Sequence, residues 1–224
     1  MDMREEIKIV DHALVRHKLS LLRDTSIQSQ LYSDLTYELS LLLGAEALRD
    51  LPMGDAIVNA AFAKNLKVRY IRHHVAAVAI LRSGLVMANA MRDLLPVINI
   101  GHLGLQRNED SVIHYFTSLP GPEVTTFVIL DAAIGTGLTM RAAADILRDA
   151  GVKSENMRFV AIIASRQGIE TLYEEPENIG IPLFLADIDP KLNEDGLCIP
   201  GIGHAADRLF GTGDYVRGFK WQNS

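Results

Sequence analysis

The hydrophobic residues in the first quarter of this chain follow a helical spacing. Residues 12–51 are dense in leucine, and from Leu35 onward apolar side chains recur at i, i+4 and i+7, the spacing of one helix face. Ser33 and Asp34 are residue types that cap helix N-termini, so we expect a helix to begin there. The pattern predicts an N-terminal helical segment over about residues 11–50.

This spacing is lost in residues 52–72, which open on a Pro-Met-Gly break and continue with a short β-branched run. Such a break followed by β-branched residues is typical of a short hairpin, and we expect a β-arm here. A surface hairpin and a dimer contact are both consistent with this segment.

From residue 75 onward, short apolar runs alternate with helical stretches. The apolar runs cover residues 75–81, 97–103, 126–130, 159–164 and 182–186, and the helical stretches cover residues 84–95 and 139–150. Buried parallel strands read as continuous apolar runs, and alternation of strand and helix indicates a sheet covered on both faces. The chain is therefore expected to form an α/β fold with an open, mostly parallel five-stranded sheet and flanking helices. Ligands of such sheets bind at the carboxyl ends of the strands.

Composition narrows the class of protein. The chain has 224 residues, of which 48% are hydrophobic and 22% charged, with a net charge of −6, and this fits one globular domain. Without a block of basic residues we expect no nucleic-acid partner, and no apolar run approaches the roughly 18 residues of a membrane span. A lone cysteine, Cys198, and an N-terminus without a signal pattern favour the cytoplasm.

The strongest local signal lies in residues 126–139, where an apolar run delivers Asp131 and then Thr136-Gly137-Leu138-Thr139 opens a helical stretch. Glycines let consecutive backbone N–H groups face one concavity, and a helix start adds partial positive charge, so this loop is suited to a phosphate. Asp131 is placed to accept hydrogen bonds from sugar hydroxyls. An ordinary strand-to-helix turn with Thr139 as its cap is the alternative.

Five segments of the chain carry a family resemblance. They are residues 11–24, the run Ala79-Ile80-Leu81-Arg82-Ser83-Gly84-Leu85, the run Gly101-His102-Leu103-Gly104-Leu105-Gln106-Arg107, the loop Asp131 to Thr139, and the stretch from Ala186 to Thr212. Together they resemble the uracil phosphoribosyltransferases, a family of type I phosphoribosyltransferases, over about residues 11–212.

The resemblance implies one phosphoribosyltransferase domain over residues 1–224. Its core would span about residues 73–190, and a base-recognition hood about residues 190–215. The implied reaction joins uracil to 5-phosphoribosyl 1-diphosphate, giving UMP and diphosphate in pyrimidine salvage. Mg²⁺, carried mainly by the substrate, is the implied cofactor. A homodimer or larger homo-oligomer built through the β-arm is implied as well, and GTP is the implied effector.

The same resemblance assigns site residues. Arg82, with Ser83 and Gly84, would face the diphosphate, and Arg107 would begin a segment over residues 108–119 that closes over the site. Asp131 and Arg107 are the implied catalytic residues. The implied substrate-binding loop comprises Asp131, Ala132, Ala133, Ile134, Gly135, Thr136, Gly137, Leu138 and Thr139. The residues implied in uracil binding are Cys198, Gly203, His204 and Ala205, and His204 would also face the phosphoribosyl group.

Two departures from the family pattern fall in the site. Leu138 replaces a glycine of the family's loop, placing a Cβ where a permissive backbone is expected. His204 replaces the first aspartate of the family's Gly-Asp-Ala-Gly-Asp, and a largely neutral imidazole does not attract Mg²⁺ as a carboxylate does. A weakened paralogue that binds nucleotide and regulates a partner, or a transferase for another base, are therefore alternatives.

Overall fold

A computed structural model of the chain describes residues 6–108, 111–121 and 123–213. Residues 1–5 and 214–224 of the predicted domain, and residues 109 and 110 of the predicted closing segment, lie outside the described residues. The strands are β1 (Ile7–Ile9), β2 (Met53–Ala60), β3 (Ala63–Ile71), β4 (Val75–Leu81), β5 (Asn99–Asn108), β6 (Ser111–Ser118), β7 (Thr126–Ile134), β8 (Met157–Ser165), β9 (Leu183–Leu185), β10 (Asp187–Asp189), β11 (Lys191–Leu192) and β12 (Cys198–Ile199). The helices are α1 (Ala13–Leu22), α2 (Ser29–Ala47), α3 (Gly84–Leu94), α4 (Leu138–Asp149), α5 (Arg166–Tyr173) and α6 (Ala205–Phe210).

The central sheet has eight strands in the order β1-β9-β8-β7-β4-β5-β6, and β10 pairs with the end of β8. Every pairing is parallel except that of β5 with β6. The α/β architecture expected from the sequence is confirmed, and its five apolar runs are β4, β5, β7, β8 and β9. Three strands extend the sheet beyond the expected five.

Those three strands lack the buried apolar run that marked the others. β1 is three residues long, and most residues of β6 are exposed along the edge of the sheet. β10 carries an aspartate at each end, and its pairing with β8 covers only three residues. β1 and β10 pair with strands distant in sequence, whereas β6 forms an exposed hairpin with the adjacent β5.

Helices cover both faces of the sheet. On one face, leucines of α1 and α2 and methionines of α3 pack against Val128 and Leu130 of β7. On the other face, α4 and α5 pack against Ile129 of the same strand and Phe159 of β8. Successive residues of β7 thus point to opposite faces, and the buried strand reads as apolar throughout.

One predicted helix start is wrong. The helix expected to be capped by Ser33 and Asp34 begins a turn earlier, at Ser29, and both residues lie inside it. Asp34 accepts a hydrogen bond from Gln30 Nε2 at 2.8 Å, so its side chain supports the first turn from the helix surface instead of capping it. Burial of Tyr32, at 0% exposure, is the packing that lengthens α2 at this end.

The hood comprises β11, β12 and α6, and it is fastened to the N-terminal helices. Arg208 of α6 is buried over the ring of Tyr32, 4.2 Å from its centroid. Its guanidinium donates to the carbonyl oxygens of Leu22, Asp24 and Ile202. β2 and β3 form a separate two-stranded arm. No helix in the described ranges combines the length and apolarity needed to cross a membrane.

Candidate active site

A cleft of about 150 Å³ opens at the carboxyl ends of β7 and β8, between the sheet and the hood. The lining residues are Arg107, Asp131, Ala133, Ile134, Gly135, Thr136, Gly137, Thr139, Met140, Ile163, Gly196, Leu197, Cys198, Ile202, Gly203 and His204. A more open space of about 670 Å³ adjoins it and shares Arg107, Thr136 and Gly196 with it. The cleft therefore joins four separate segments of sequence at the edge where ligands of parallel sheets bind.

The loop between β7 and α4 can take its shape only with glycines. Gly137 has a φ of +85° and directly precedes α4. A Cβ on Gly137 would lie 2.3 Å from the carbonyl oxygen of Gly168, and one on Gly135 would lie 2.2 Å from that of Gly196. The loop is thus packed between the start of α5 and the hood. Its backbone and the N-terminus of α4 face the cleft, as an anion site requires.

Leu138 does not disturb this loop. It is the first residue of α4, and the left-handed backbone conformation falls on Gly137 before it. The Cβ that distinguishes Leu138 from the family's glycine is therefore carried by ordinary helical backbone. This departure from the family pattern has no steric consequence for the loop between β7 and α4.

Asp131 lies in β7 with its side chain at the cleft wall. The hydroxyl of Ser83 donates to its Oδ1, and the N–H groups of Ala132 and Ala133 also favour its ionised form. Burial outweighs these bonds and raises the pKa of Asp131 to about 6. A carboxyl group with this pKa is mostly ionised at neutral pH and becomes mostly protonated below about pH 6.

The hood contributes the opposite wall. Gly203 and His204 line the cleft beside Cys198, whose thiol donates to the carbonyl oxygen of Ile134 at 3.5 Å. Burial raises the pKa of the Cys198 thiol to about 12, so it stays protonated at neutral pH. The thiol is therefore a packing contact between the hood and the loop that joins β7 to α4.

Arg107 crosses the mouth of the cleft. It belongs to the exposed end of β5, and its Nη2 donates to the carbonyl oxygen of Asp195 in the turn between β11 and β12. The same turn approaches the loop after β7, because Gly196 lies against Arg107 and Thr136. An exposed cation and a closely packed loop thus face each other at the entrance.

Arg82 lies away from the cleft lining. Its Nη2 donates to Asp207 Oδ1 at 3.0 Å and its Nη1 to the hydroxyl of Thr212 at 3.1 Å. His204 Nδ1 lies 3.1 Å from the other oxygen of Asp207. The hydrogen bond from Thr212, together with Arg82 and His204, lowers the pKa of Asp207 below its usual value. One carboxylate therefore holds both a predicted diphosphate ligand and the histidine that departs from the family pattern.

The structure brings most predicted site residues to one place, with differences in role. Ser83 reaches the site through its bond to Asp131, and Gly84 begins α3, packed so closely that a Cβ would lie 2.6 Å from the Leu130 carbonyl oxygen. Ala132, Leu138 and Ala205 are near in sequence but do not line the cleft.

Sequence reasoning missed several lining residues. Met140, Ile163, Gly196 and Leu197 line the cleft as well. They are apolar residues or a turn glycine, types that occur equally in a core or a surface turn, and nothing in the sequence distinguishes them. Only the pairing of β11 with β12 carries Gly196 and Leu197 to the loop after β7.

The donors available for a metal ion are few. Asp131 is the sole carboxylate among the described cleft-lining residues, and no group of three or more potential metal-ligating side chains occurs in the part of the chain that the structure describes. A metal at this site would therefore take most of its ligands from a bound substrate.

A family model and two similar sequences agree on one protein family. The model of the family "Uracil phosphoribosyltransferase" matches residues 9–212. The chain is 37% identical to the uracil phosphoribosyltransferase of Pediococcus pentosaceus over 211 residues, covering 92% of this chain and 99% of that protein. It is 33% identical to that of Streptococcus pneumoniae serotype 4 over 210 residues, with the same coverage of each chain. The solved AQ2163 protein from Aquifex aeolicus superposes with a TM-score of 0.83 at 29% identity, covering 93% of this chain and all of the other.

Proposed function

The chain belongs to the uracil phosphoribosyltransferase family, and we propose that the cleft at the ends of β7 and β8 is where it joins uracil to 5-phosphoribosyl 1-diphosphate. The protein is a pentosyltransferase that forms UMP and diphosphate. The observation that carries the site assignment is that the loop between β7 and α4, Asp131, and Cys198 with residues 202–204 of the hood line one cleft. Phosphate, ribose and base would then occupy adjacent parts of it.

The phosphoryl end of the substrate is assigned to residues 134–139. The backbone curls at Gly135 and Gly137, and α4 begins directly after, so N–H groups and the helix dipole favour a dianion there. The hydroxyls of Thr136 and Thr139 add donors at the cleft wall. Asp131, when ionised, accepts hydrogen bonds from the ribose hydroxyls and so fixes the sugar relative to its phosphate.

The leaving diphosphate is assigned to two arginines. The reaction breaks the bond between C1 of the ribose and a diphosphate oxygen, with positive charge developing on the sugar and negative charge on the leaving group. A guanidinium stays charged at physiological pH and binds phosphate oxygens through two parallel bonds. Arg107 is already at the cleft mouth, whereas Arg82 must release Asp207 to reach the substrate.

Uracil is assigned to the hood between Cys198 and Ala205. Apart from His204 the wall is built from short or apolar residues, and the carbonyl oxygens of Ile202 and His204 already accept hydrogen bonds from Arg208. The N–H and C=O of Gly203 and the N–H of His204 are therefore the backbone groups assigned to the base. Alternating backbone donors and acceptors match the alternating acceptors and donors on the edge of a uracil ring.

Mg²⁺ fits this site as an ion carried by the substrate. The cleft offers one carboxylate, Asp131, beside neutral loop residues, which suits an ion held mainly by diphosphate and ribose oxygens. When bound with the substrate, Mg²⁺ supplies neutralisation of the diphosphate charge. Asp131 would orient the hydroxyls nearest to it.

The direct test is UMP formation from uracil and 5-phosphoribosyl 1-diphosphate, with and without Mg²⁺. We expect turnover that requires the metal and that falls sharply when Asp131 is replaced by Asn. Absence of product from every pyrimidine base supplied would contradict the assignment of substrate.

A nucleotide-binding regulator is the second candidate, favoured by His204 in place of an aspartate and by its pairing with Asp207. It predicts tight UMP binding without turnover, unchanged in the His204→Asp variant. Higher turnover in His204→Asp would instead identify His204 as a residue that tunes an active enzyme.

We propose that the β-arm joins two copies of the chain. Its strands expose Ile57, Leu66 and Tyr70, and Phe62 at the tip is wholly exposed, an unusual apolar surface for a monomer. Light scattering after gel filtration should give a dimer or larger homo-oligomer, and Phe62→Asp with Ile57→Asp should give a smaller species.

Regulation and setting are proposed on the family resemblance and on Cys198. GTP is the proposed effector, and assays of UMP formation across a GTP titration measure it. The chain is proposed to act in the cytoplasm, since its lone cysteine is buried and reduced.

A further inference from the structure

Gly201, in the middle of the hood segment, is held on both sides of its backbone by one ion pair. Arg23 Nη1 donates to the carbonyl oxygen of Gly201 at 2.8 Å, and the Gly201 N–H donates to Asp189 Oδ2 at 2.9 Å. Arg23 Nη2 in turn donates to Asp189 Oδ1 at 2.7 Å. These bonds close a ring through the end of α1, the end of β10 and the hood, which we call the Gly201 clamp.

The carboxylate of the Gly201 clamp is buried, and both of its oxygens accept hydrogen bonds. The side chain of Asp189 is 1% exposed and that of Arg23 20% exposed. Asp189 receives two bonds from Arg23 and one from Gly201, and Arg23 also reaches Asp187 at 2.9 Å. A buried ion pair is weak evidence for stability, but it fixes a conformation, because either charge left alone would be strongly unfavourable.

The clamp acts on residues that line the cleft without lining it itself. Cys198, Ile202 and Gly203 are cleft residues on either side of Gly201, whereas Arg23, Asp189 and Gly201 are absent from the lining described above. Gly201 has a φ of +74°, and a Cβ there would lie 2.1 Å from the Cys198 carbonyl oxygen. The turn is therefore tight, and together with the bonds from Arg208 and Tyr32 to the Ile202 carbonyl oxygen it fixes the direction of the Ile202–Gly203 peptide.

The Gly201 clamp is also connected to the loop between β7 and α4. Asp189 is paired in the sheet with Ser165 at the end of β8. The hydroxyl of Ser165 donates to the Gly135 carbonyl oxygen at 2.6 Å, within the loop assigned to the phosphoryl group. The paired ends of β10 and β8 thus support two parts of the proposed site. Asp189 holds the Gly201 turn, Ser165 holds the loop before α4, and their pairing fixes the distance between turn and loop.

We propose that Arg23 is a positioning residue for base recognition, acting through Asp189 and Gly201 to aim the Ile202–Gly203 backbone at uracil. The inference rests on the proposed function, since it presumes that the hood binds the base. Arg23 touches neither substrate. Its loss should therefore weaken uracil binding and leave the sugar diphosphate largely unaffected.

Kinetics of Arg23→Met and Arg23→Lys test this proposal, with uracil and 5-phosphoribosyl 1-diphosphate varied separately. We expect the KM for uracil to rise about tenfold or more in Arg23→Met, because small misplacements of binding groups have large effects. The KM for the sugar diphosphate should change less than about twofold. Arg23→Lys should recover part of the loss, since lysine keeps the charge but not the two-pronged geometry.

Arg158 offers a matched control. It is also a partly buried arginine, 15% exposed, and it also fastens the N-terminal helices, through the Ala47 carbonyl oxygen and Asp50. It has no contact with the hood. Arg158→Met should lower the unfolding temperature and leave both KM values unchanged.

Binding measured by calorimetry removes dependence on turnover and on a fully stable variant. UMP and ribose 5-phosphate share the phosphoryl and sugar groups, and only UMP carries the base. Arg23→Lys should weaken UMP binding severalfold more than ribose 5-phosphate binding. Equal weakening of both ligands, or an Arg23→Met variant that behaves as Arg158→Met does, would overturn the proposal.

The two proposals fail differently. If the wild-type chain forms UMP but its uracil KM is insensitive to Arg23, only the positioning role is rejected. If the wild-type chain neither forms nor binds UMP, the hood does not bind the base, and both proposals are rejected together.

Discussion

Asp131 is a carboxylate whose charge is set by its surroundings. Burial favours its neutral form and raises its pKa to about 6, against the opposing effects of Ser83 and two backbone N–H groups. Binding of ribose hydroxyls and a nearby metal requires the ionised form. We expect kcat/KM for 5-phosphoribosyl 1-diphosphate to rise with pH through about pH 6, because this parameter reports the free enzyme. Asp131→Asn should lose most activity together with this limb of the pH profile.

The burial of Asp131 also makes the stability of the fold depend on pH, and stability is expected to fall over the pH range in which activity rises. Because the folded pKa of Asp131 is raised above that of the unfolded chain, the folded state is favoured at low pH. This advantage is complete below about pH 4 and is lost as pH rises through about 6. Asp131→Asn, which cannot ionise, should therefore be more stable than wild type at pH 8, by about 3 kcal/mol. Urea unfolding at pH 8 and pH 4.5 measures this; a gain of equal size at both values would assign it to another cause.

Arg82 gives a prediction about the leaving group. In the substrate-free chain it is bound to Asp207 and Thr212, and the reaction product UMP lacks the diphosphate that would draw it away. Arg82→Ala should raise the KM for 5-phosphoribosyl 1-diphosphate about tenfold or more and change the Kd for UMP less than about twofold. Steady-state kinetics and UMP calorimetry give the two values, and equal losses would contradict the placement of Arg82.

At the scale of elements, the two ends of α4 show two separate reasons for a glycine, its backbone conformation and its lack of a Cβ. Gly137 and Gly151 lie at either end of α4 and both have positive φ, +85° and +91°. A Cβ at Gly137 meets the Gly168 carbonyl oxygen, whereas one at Gly151 meets nothing within 4 Å. Gly151→Ala should lower the free energy of unfolding by about 1 kcal/mol and retain activity. Gly137→Ala should lower it further and abolish binding of the sugar diphosphate.

The paired measurement is denaturant unfolding with calorimetric titration of ribose 5-phosphate. Identical behaviour of the two alanine variants would mean that only backbone conformation matters at Gly137, and that the close packing of α5 against the loop has no role in phosphate binding.

Elements with a continuous apolar pattern were predictable, and exposed or very short strands were not. The predicted run 75–81 coincides with β4, and the predicted helix 139–150 differs from α4 by one residue at each end. β6 and β10 escaped prediction because neither is a buried apolar run. The loop residues and Asp131 were recognisable from local sequence, whereas the bond between Arg82 and Asp207 joins residues 125 positions apart and has no local signal.

At the scale of the molecule, Arg208 joins the two ends of the described chain. Its guanidinium satisfies carbonyl oxygens of Leu22, Asp24 and Ile202 and covers the ring of Tyr32. Arg208→Met should take one donor from each of these carbonyl oxygens, leaving Ile202 with only the Tyr32 hydroxyl, and lower the free energy of unfolding by about 3 kcal/mol. Thermal and urea unfolding measure the loss. Tyr32→Phe, which removes one hydroxyl bonded to Ile202, should lower it by about 1 kcal/mol, and equal losses would contradict a special role for the charge.

Residues 187–208 complete the fastening of α1 and α2, and this has a consequence for synthesis. A nascent chain emerging from the ribosome presents Arg23, Asp24 and Tyr32 long before Asp189 and Arg208 exist to meet them. The N-terminal helices therefore lack these partners until residues 189 and 208 have been synthesised. Under the proposed assignment the residues that bind uracil are made after those that bind the phosphoryl group, so a product truncated before residue 187 lacks the uracil site.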